Sequence, residues 1–343
     1  MSTTSESATQ LKKFTGGASR DWGGKPHTYY GVPFIKKAHW GWEVVVYFFL
    51  GGVGGTAYLI ATLAHLLGGK EDVPLVRFGR YLSLICMTIS PILLIKDLGR
   101  PERFHHMLRV VKLRSAMSLG TWGITLFGLC LGFTAAHQAA HDGLFRWFPA
   151  IGRLMKAVPV KALEVLGSIL GVFVASYTGV LLSSTAVPLW GRAKHILGPL
   201  FLTSGLSAAL ASLTLLLSPG RSNRKTLEKI EDSELVALTT ELGLILALPP
   251  TLGPLSKPLF QGKLGRLFVA GAIGAGTVLP LGTRLAWKLR RKPTPRSVNV
   301  GTSLLVLIGG IILRTVWVVA GRRSADDPQA VNYYNTIEEK RKR

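Results

Sequence analysis

Two residues in apolar parts of the sequence have side chains that can form hydrogen bonds or transfer protons. Glu43 and Tyr177 both fall inside long apolar stretches of the chain. Ionisable groups inside a membrane span are costly, so they mark functional sites by default. A carboxylate accepts hydrogen bonds and protons, and a phenol donates or accepts a hydrogen bond. Together they suit the oxygen atoms of a quinone headgroup, and the carboxylate suits uptake of a proton from a quinol.

Eight apolar stretches must position these two side chains. Only 17% of the residues are charged, whereas soluble domains carry about 25%. Each stretch approaches the roughly 20 residues that cross a bilayer. The sequence therefore predicts an all-α integral membrane protein with about eight transmembrane helices and no soluble domain large enough for chemistry. The stretches lie near residues 40–67, 75–95, 117–136, 162–185, 193–217, 233–252, 263–287 and 297–320.

Eight spans place both termini on one side of the membrane, called here the N-face; the other side is the far face. The first span leaves the N-face near Glu43, and the fourth returns toward it with Tyr177. The two side chains are therefore predicted to line one cavity near the N-face. The short basic loop from Arg284 to Arg296 looks cytoplasmic, which favours an extracytoplasmic N-face.

The net charge of +23 is assigned to loops that contact anionic membrane lipids. No nucleic-acid motif accompanies these basic residues, so nucleic acid is not a predicted partner. A basic face that docks an acidic partner subunit is a second interpretation of the same charge.

Further charged residues lie in or beside the spans. Asp97 at the end of the second span opposes the helix dipole, so we expect a cationic partner, with Arg100 the local candidate. Glu241 and Arg314 lie deeper, and each should find a partner, including each other, because a lone buried charge costs several kcal/mol. The pair is interpreted as structural or as part of a proton path. Glu164 lies toward the far face and would extend that path.

Two other functions remain open at this point. His65 and His137 end two spans on the same face and could bracket one heme, as in a heme b cytochrome. A secondary transporter would use Glu241 as a coupling site. The two cysteines, Cys86 and Cys130, form no Cys-x-x-Cys motif, so the protein is not expected to hold an iron–sulfur cluster by itself.

Several segments of the sequence together form a recognisable pattern. They are His39-Trp40, the glycine run from Gly51 to Gly55, Asp97 to Phe104, Arg114 to Ser118, Gly120 to Gly123, Ser176 to Gly179, Pro188 to Trp190, Gly198 to Leu202 and Ser204 to Leu206. In these segments the sequence resembles the NrfD/PsrC family of quinone-interacting membrane subunits. The resemblance covers roughly residues 38–320, and its second half is matched mainly by hydropathy.

The resemblance implies two four-helix bundles and a quinone site near the N-face. Glu43 and Tyr177 fall on the family's quinone-contact positions, and a carboxylate replaces an amide at the first. That replacement suits proton uptake from a quinol. Glu43 and Asp97 are the predicted catalytic residues. The quinone site is predicted to include His39, Arg100 and Trp190 as well.

The resemblance also implies partners and a cofactor. The partners are a ferredoxin-like iron–sulfur subunit and a molybdopterin or multiheme cytochrome catalytic subunit. The cofactor is a quinone, menaquinone or ubiquinone, with no heme or iron–sulfur cluster in this protein. The predicted function is a quinone-interacting membrane anchor of a respiratory oxidoreductase in the bacterial inner membrane, with proton translocation as a further possibility.

The predicted organisation has three parts. Residues 1–38 form a polar tail that lacks the apolar core of a cleaved signal peptide. Residues 39–320 form the membrane domain, divided into a first bundle, 39–185, and a second bundle, 193–320. Residues 321–343 form a charged tail.

Overall fold

The computed structural model describes residue 35, residues 40–218, 224–291 and 293–342, without the side chains of residues 338 and 340–342. Within these ranges the protein is helical, and eight helices are long and apolar enough to cross a membrane. This confirms the predicted all-α membrane fold. The eight helices are α1 Trp42–Leu67, α2 Val73–Asp97, α3 Ala116–His141, α4 Val160–Ser183, α5 Lys194–Leu217, α6 Arg224–Leu246, α7 Gly262–Leu289 and α8 Arg296–Asp326.

The sixth helix begins earlier than the apolar pattern indicates. It starts at Arg224 rather than near residue 233, because its polar first turns are held at the far face. The Nζ atom of Lys229 lies 2.6 Å from Oδ2 of Asp72, and the Thr226 hydroxyl donates to Oδ1 of the same residue at 2.8 Å. Hydropathy cannot detect a helix end that is stabilised by ion pairs outside the apolar layer.

The helices form two four-helix bundles, α1–α4 and α5–α8, which pack together mainly through α1 and α4 against α5, with α8 also reaching α1. Small residues on α1 allow this close contact. A Cβ atom on Gly205 of α5 would lie 3.0 Å from the backbone of Gly52, and a Cβ atom on Gly55 would overlap the carbonyl of Gly171 in α4. Glycine at these crossings lets backbones approach as in other membrane helix pairs.

The middle of α7 departs from α-helical geometry. Residues Leu267–Val278 are π-helical, and the Thr277 hydroxyl donates to the carbonyl oxygen of Ala272, five residues earlier, at 3.1 Å. Such stretches are rare and occur frequently at functional sites.

Short helices cover the N-face. A 3₁₀ helix, Pro101–Leu108, connects α2 to α3, and a short helix, Pro188–Arg192, connects α4 to α5. A further helix, α9 (Pro328–Lys342), follows α8 on the same side. These segments close the N-face ends of the bundles, and the first of them forms part of the site described next.

Candidate functional site

A cavity of about 330 Å³ lies between the four helices of the first bundle and the 3₁₀ helix Pro101–Leu108. Its wall is almost entirely apolar, and the lining residues with polar side chains are two tyrosines and two threonines. The lining residues are Tyr47, Met87, Pro91, Leu94, Ile95, Leu98, Phe104, Met107, Leu108, Met117, Gly120, Thr121, Ile124, Thr125, Gly128, Tyr177 and Leu181.

Two helices form the sides of this cavity because their lining residues recur at helical spacing. On α2 the stripe runs from Met87 to Leu98, and on α3 it runs from Met117 to Gly128. Met117 and Gly128 are exposed on the outer surface of the bundle, and a Cβ atom on Gly128 would meet open space. In a bilayer this surface faces lipid, so the cavity opens sideways into the apolar layer between α2 and α3.

Tyr177 lies at the N-face end of the cavity, as its position in the fourth span predicts. Its hydroxyl donates to the carbonyl oxygen of Ala116 at 2.5 Å, and its ring stacks on Phe173 with centroids 5.4 Å apart. A Cβ atom at position 120 would overlap the Tyr177 ring, so Gly120 makes room for it. The phenol is therefore fixed in place, with its hydroxyl oxygen able to accept one more hydrogen bond.

Tyr47 is a cavity residue that the sequence reasoning missed. Its side chain is 1% exposed, and its hydroxyl has no hydrogen-bond partner among the described residues. Buried polar groups are nearly always hydrogen-bonded, so this hydroxyl calls for a partner that the cavity can admit. The available signal was its spacing: Tyr47 lies four residues after Glu43, on the same face of α1.

Glu43 lies one helical turn from Tyr47, at the N-face end of α1, and outside the set of cavity-lining residues. Its side chain is 17% exposed, and its Oε1 atom lies 3.7 Å from Nζ of Lys96. The backbone N–H of Gly41 donates to Oδ1 of Asp97 at 3.4 Å. The structure thus brings the two predicted catalytic carboxylates, Glu43 and Asp97, to one place beside Lys96.

Two other predicted quinone-site residues, Arg100 and Trp190, lie outside the cavity lining. Arg100 is exposed in the loop after α2 and does not line the cavity. Trp190 is fully buried and does not line it either; its indole N–H donates to the carbonyl oxygen of Trp317 at 2.9 Å, and its ring stacks on Trp40 at 5.2 Å. It joins α8 to the start of α1. His39 lies outside the described residues.

Glu241 and Arg314 are both buried in the second bundle, as expected, but two serines of α5 mediate between them. The Ser207 hydroxyl donates to Oε2 of Glu241 at 2.9 Å, and Arg314 donates to the Ser204 hydroxyl at 3.1 Å. Arg314 also donates to the carbonyl oxygen of Phe48 in α1 at 3.0 Å. The guanidinium therefore links α8, α5 and α1.

Glu164 belongs to a separate network at the far face of the first bundle. Its side chain is 1% exposed, forms an ion pair with Arg80 of α2, and lies 2.7 Å from Nδ1 of His65. Arg80 also donates to Gln138 at 2.6 Å. His65, considered above as a heme ligand, is thus engaged with a carboxylate. Within the described part of the protein, no group of three or more His, Cys, Asp or Glu residues is placed to hold a metal ion.

A second buried ion pair escaped the sequence reasoning. The NH2 atom of Arg284 in α7 lies 2.6 Å from Oε2 of Glu234 in α6, and both side chains are almost completely buried. Each charge falls near a predicted span end, where interfacial charges are common. Their pairing follows from the packing of α6 against α7, which local sequence does not reveal.

Comparison with known proteins assigns most of the sequence to one family. Residues 31–324 match the protein family described as "Polysulphide reductase, NrfD". The sequence is similar to the C subunit of the polysulfide reductase of Wolinella succinogenes, with 27% identity over 302 residues that cover 82% of this protein and 94% of that one. It is also similar to protein NrfD of Escherichia coli, with 27% identity over 307 residues that cover 82% of this protein and 95% of that one.

Proposed function

The chain belongs to the NrfD family of polysulphide reductase membrane subunits, and on that premise we propose that it oxidises quinol as the membrane anchor of a respiratory oxidoreductase. It is a multi-pass protein of the bacterial inner membrane. One observation carries the proposal: a lipid-open apolar cavity has a buried tyrosine hydroxyl, that of Tyr47, without a partner among the described residues.

The cavity has the polarity that a lipid-soluble quinol requires. Tyr47 and Tyr177 line its N-face part, whereas the two threonines along α3 have their hydroxyls hydrogen-bonded to carbonyl oxygens of their own helix. Along α3, Gly120 beside Tyr177 and Gly128 at the lipid-facing opening are eight residues apart, or about 12 Å. A ring with two oxygen atoms fits the polar end, and an isoprenoid tail fits the apolar end. This division is typical of small-molecule sites, which are mostly apolar with a few placed polar groups.

The residues of this protein have separate tasks in the proposed reaction. Oxidation of one quinol supplies two electrons and releases two protons. The Tyr47 and Tyr177 hydroxyls hold the headgroup oxygens. Glu43, one turn from Tyr47, accepts a proton, which suits a carboxylate acting as a general base. Glu43 passes this proton to Asp97 and then takes up the second proton in the same way, so that both protons reach water at the N-face.

The electrons leave through a partner subunit. Family members assemble with iron–sulfur and catalytic subunits in general. For this protein we propose a ferredoxin-like iron–sulfur subunit on the N-face, next to Arg100 and the Glu43–Asp97 carboxylates, and beyond it a molybdopterin or multiheme catalytic subunit. Purification of the intact complex and identification of its subunits tests this assignment.

His39 and Trp190 complete the proposal at the N-face. His39, which lies outside the described residues, stays a predicted contact of the quinol headgroup. Trp190 supports that site by packing, because it stacks on Trp40, two residues before α1. The quinol would be menaquinol or ubiquinol.

Tyrosine variants test the cavity directly. In the purified complex, Tyr47→Phe should lower kcat/KM for quinol about fivefold, since each lost hydrogen bond is worth about 1 kcal/mol. Tyr177→Phe should act in the same direction. Tyr58→Phe is the matched control, because this buried tyrosine of the same bundle donates to the Leu163 carbonyl and does not line the cavity. If both cavity variants oxidise quinol at the rate of the control, the assigned pocket is wrong.

A further inference from the structure

A second, smaller cavity of about 250 Å³ opens at the far face of the second bundle. Unlike the first cavity, it is lined mainly by charged side chains. Several of these are already paired: Lys288 with Asp232 at 2.6 Å, and Arg224 with Glu228 at 2.9 Å. Such a polar, outward-open space admits water. The lining residues are Arg224, Glu228, Glu231, Asp232, Leu235, Arg284, Lys288, Arg291, Pro293 and Thr294.

The buried Glu234–Arg284 ion pair lies at the inner end of this space. Arg284 lines the cavity, while Glu234 lies behind it with 0% exposure. Asn299 of α8 accepts a hydrogen bond from Arg284 at 3.0 Å and donates one to Glu231 at 2.9 Å. Both carboxylate oxygens of Glu234 lack a hydrogen bond of normal geometry among the described residues. Water that enters the cavity therefore meets Arg284 first, with an incompletely solvated carboxylate directly behind it.

Glu241 lies farther along the same face of α6. It is seven residues from Glu234, which is two helical turns or about 10 Å. Ser207 binds Glu241, and the neighbouring Ser204 accepts a hydrogen bond from Arg314. Arg314 also donates to the carbonyl oxygen of Phe48, and Phe48 directly follows Tyr47, which lines the first cavity. Buried polar groups thus extend from the middle of the second bundle to the edge of the proposed quinol site.

One apolar layer separates the two carboxylates. Leu238 lies between Glu234 and Glu241 on α6, and it packs with Ala211 of α5 and Val306 of α8. Leu281 and Leu307 surround these buried side chains. Leu281 follows the π-helical part of α7 by three residues. The hydroxyl of Ser303, three residues before Val306, is buried without a partner among the described residues.

We propose that the second bundle contains a proton route from far-face water through Glu234 to the Glu241–Arg314 cluster, and from there past Phe48 to the N-face cavity, closed by the Leu238 apolar layer. Carboxylates and hydroxyls carry protons by successive hydrogen bonds, and chains of such residues form the relays of membrane pumps. An apolar constriction without water blocks that transfer, as in channels that gate by dewetting. In this structure the route is closed, and hydration of the one layer would open it.

The proposed route includes buried carboxylates of the second bundle but not Glu164, the buried carboxylate at the far face of the first bundle. Glu164 is held by Arg80 and His65 in the first bundle. Among the described residues, that network continues through Gln138 and Asp142 to Tyr81 and Arg77 and does not lead to Glu241. The proposed route therefore uses Glu241 and Arg314 but not Glu164.

Passive proton leakage tests the route without any quinol chemistry. The full-length protein is reconstituted into liposomes with an internal pH-sensitive dye, and a potassium diffusion potential drives protons. Val306→Thr keeps the shape of the side chain and adds a hydroxyl to the apolar layer, and Leu238→Asn makes a larger change. Each should raise the leak rate, Leu238→Asn by about tenfold. Adding Glu234→Gln to either variant should return the leak to the parental rate.

Matched controls come from the first bundle. Val174 and Leu131 are equally buried there in another apolar cluster, so Val174→Thr and Leu131→Asn introduce the same changes away from the route. A leak in these controls equal to that in the route variants, a leak that persists after Glu234→Gln, or no leak in folded Val306→Thr would each overturn the proposal. The assay needs no quinol oxidation, so its result is independent of the tyrosine variants above.

Discussion

The two bundles place polar groups in a membrane in different ways. In the first, Tyr47 and Tyr177 line an apolar cavity that opens to lipid, and the Tyr47 hydroxyl has no hydrogen-bond partner among the described residues. In the second, Arg314 makes hydrogen bonds to two backbone carbonyls of neighbouring helices and to Ser204, and Ser207 binds Glu241. The first arrangement leaves hydrogen-bonding capacity for a ligand, whereas the second uses it to join helices.

This difference predicts which substitutions affect activity and which affect stability. A neutral hydroxyl can remain in an apolar wall at modest cost, so its removal should act on ligand binding. A buried charge cannot lose its partners without a penalty of several kcal/mol. Variants of the two regions should therefore separate into activity changes without unfolding and losses of folded protein.

The largest expected effect is that of Arg314→Met. This change leaves Glu241 buried without a nearby cation and frees the carbonyls of Phe48 and Phe201. Breaking a buried ionic cluster from one side typically costs about 3–5 kcal/mol. Thermal unfolding of the purified protein in detergent should show a correspondingly large loss of stability.

Two further variants show whether that loss of stability comes from the buried cluster. Arg323→Met removes an exposed arginine from the same helix and should leave the unfolding transition unchanged. The double variant Arg314→Met, Glu241→Gln should be more stable than Arg314→Met alone, because the uncompensated charge is gone. An Arg314→Met protein as stable as Arg323→Met would mean that the second bundle does not depend on its polar cluster, and the comparison between the bundles would fail.

The next largest effect concerns proton uptake in the first bundle. Glu43→Gln preserves shape but removes the base, so quinol oxidation should fall about 100-fold with little change in stability. The measurement is the steady-state rate with excess quinol, together with the unfolding transition. Glu102→Gln in the exposed loop after α2 is the control. A Glu43→Gln enzyme with the control's rate would remove this carboxylate from the mechanism.

The sequence predicts the membrane-spanning helices far better than the contacts between their side chains. Eight spans follow from apolar length, and the N-face position of Glu43 and Tyr177 follows from counting those spans. Tyr47 was missed because a tyrosine in an apolar helix is indistinguishable from a packing residue until a cavity is found beside it. Trp190 was assigned to the quinone site from a motif, whereas the structure places it in a core between helices.

Ion pairs between residues far apart in the sequence were likewise not predicted. Glu234 and Arg284 lie 50 positions apart in the sequence, and each alone is an ordinary charge near a span end. Only the packing of α6 against α7 makes them a buried pair. The expectation that Glu241 and Arg314 find partners was correct because burial demands it, but burial does not specify Ser204 and Ser207 as the intermediaries.

A smaller effect should distinguish the tail end of the first cavity from its head end. Gly128→Leu fills the lipid-facing opening, where a Cβ atom meets no neighbour, so the helix should fold normally. It should raise KM for a long-chain quinol about tenfold, by displacing apolar contacts worth about 1–2 kcal/mol. KM for a short-chain analogue should stay near the parental value.

The control for this substitution lies in the other bundle. Gly301 of α8 is also exposed with open space at its Cβ position, so Gly301→Leu adds the same side chain to a lipid-facing surface without a cavity. Equal effects of Gly128→Leu on long- and short-chain quinols would place the tail elsewhere.

The smallest expected effect is that of Lys288→Met at the rim of the second cavity. Its comparison with Arg284→Met tests how much burial contributes to the strength of an ion pair. Lys288 and Asp232 approach to 2.6 Å, the same distance as Arg284 and Glu234, but the rim side chains are 54% and 60% exposed. Lys288→Met should therefore cost about 0.5 kcal/mol, as exposed pairs do, whereas Arg284→Met should cost about 3–5 kcal/mol. Chemical or thermal unfolding of the two variants measures both. Because the ion-pair distance is equal, a large gap in stability between the two variants reports the enclosed setting of Arg284, including its buried hydrogen bond to Asn299. Equal losses would show that the charges of the second bundle are solvated rather than enclosed.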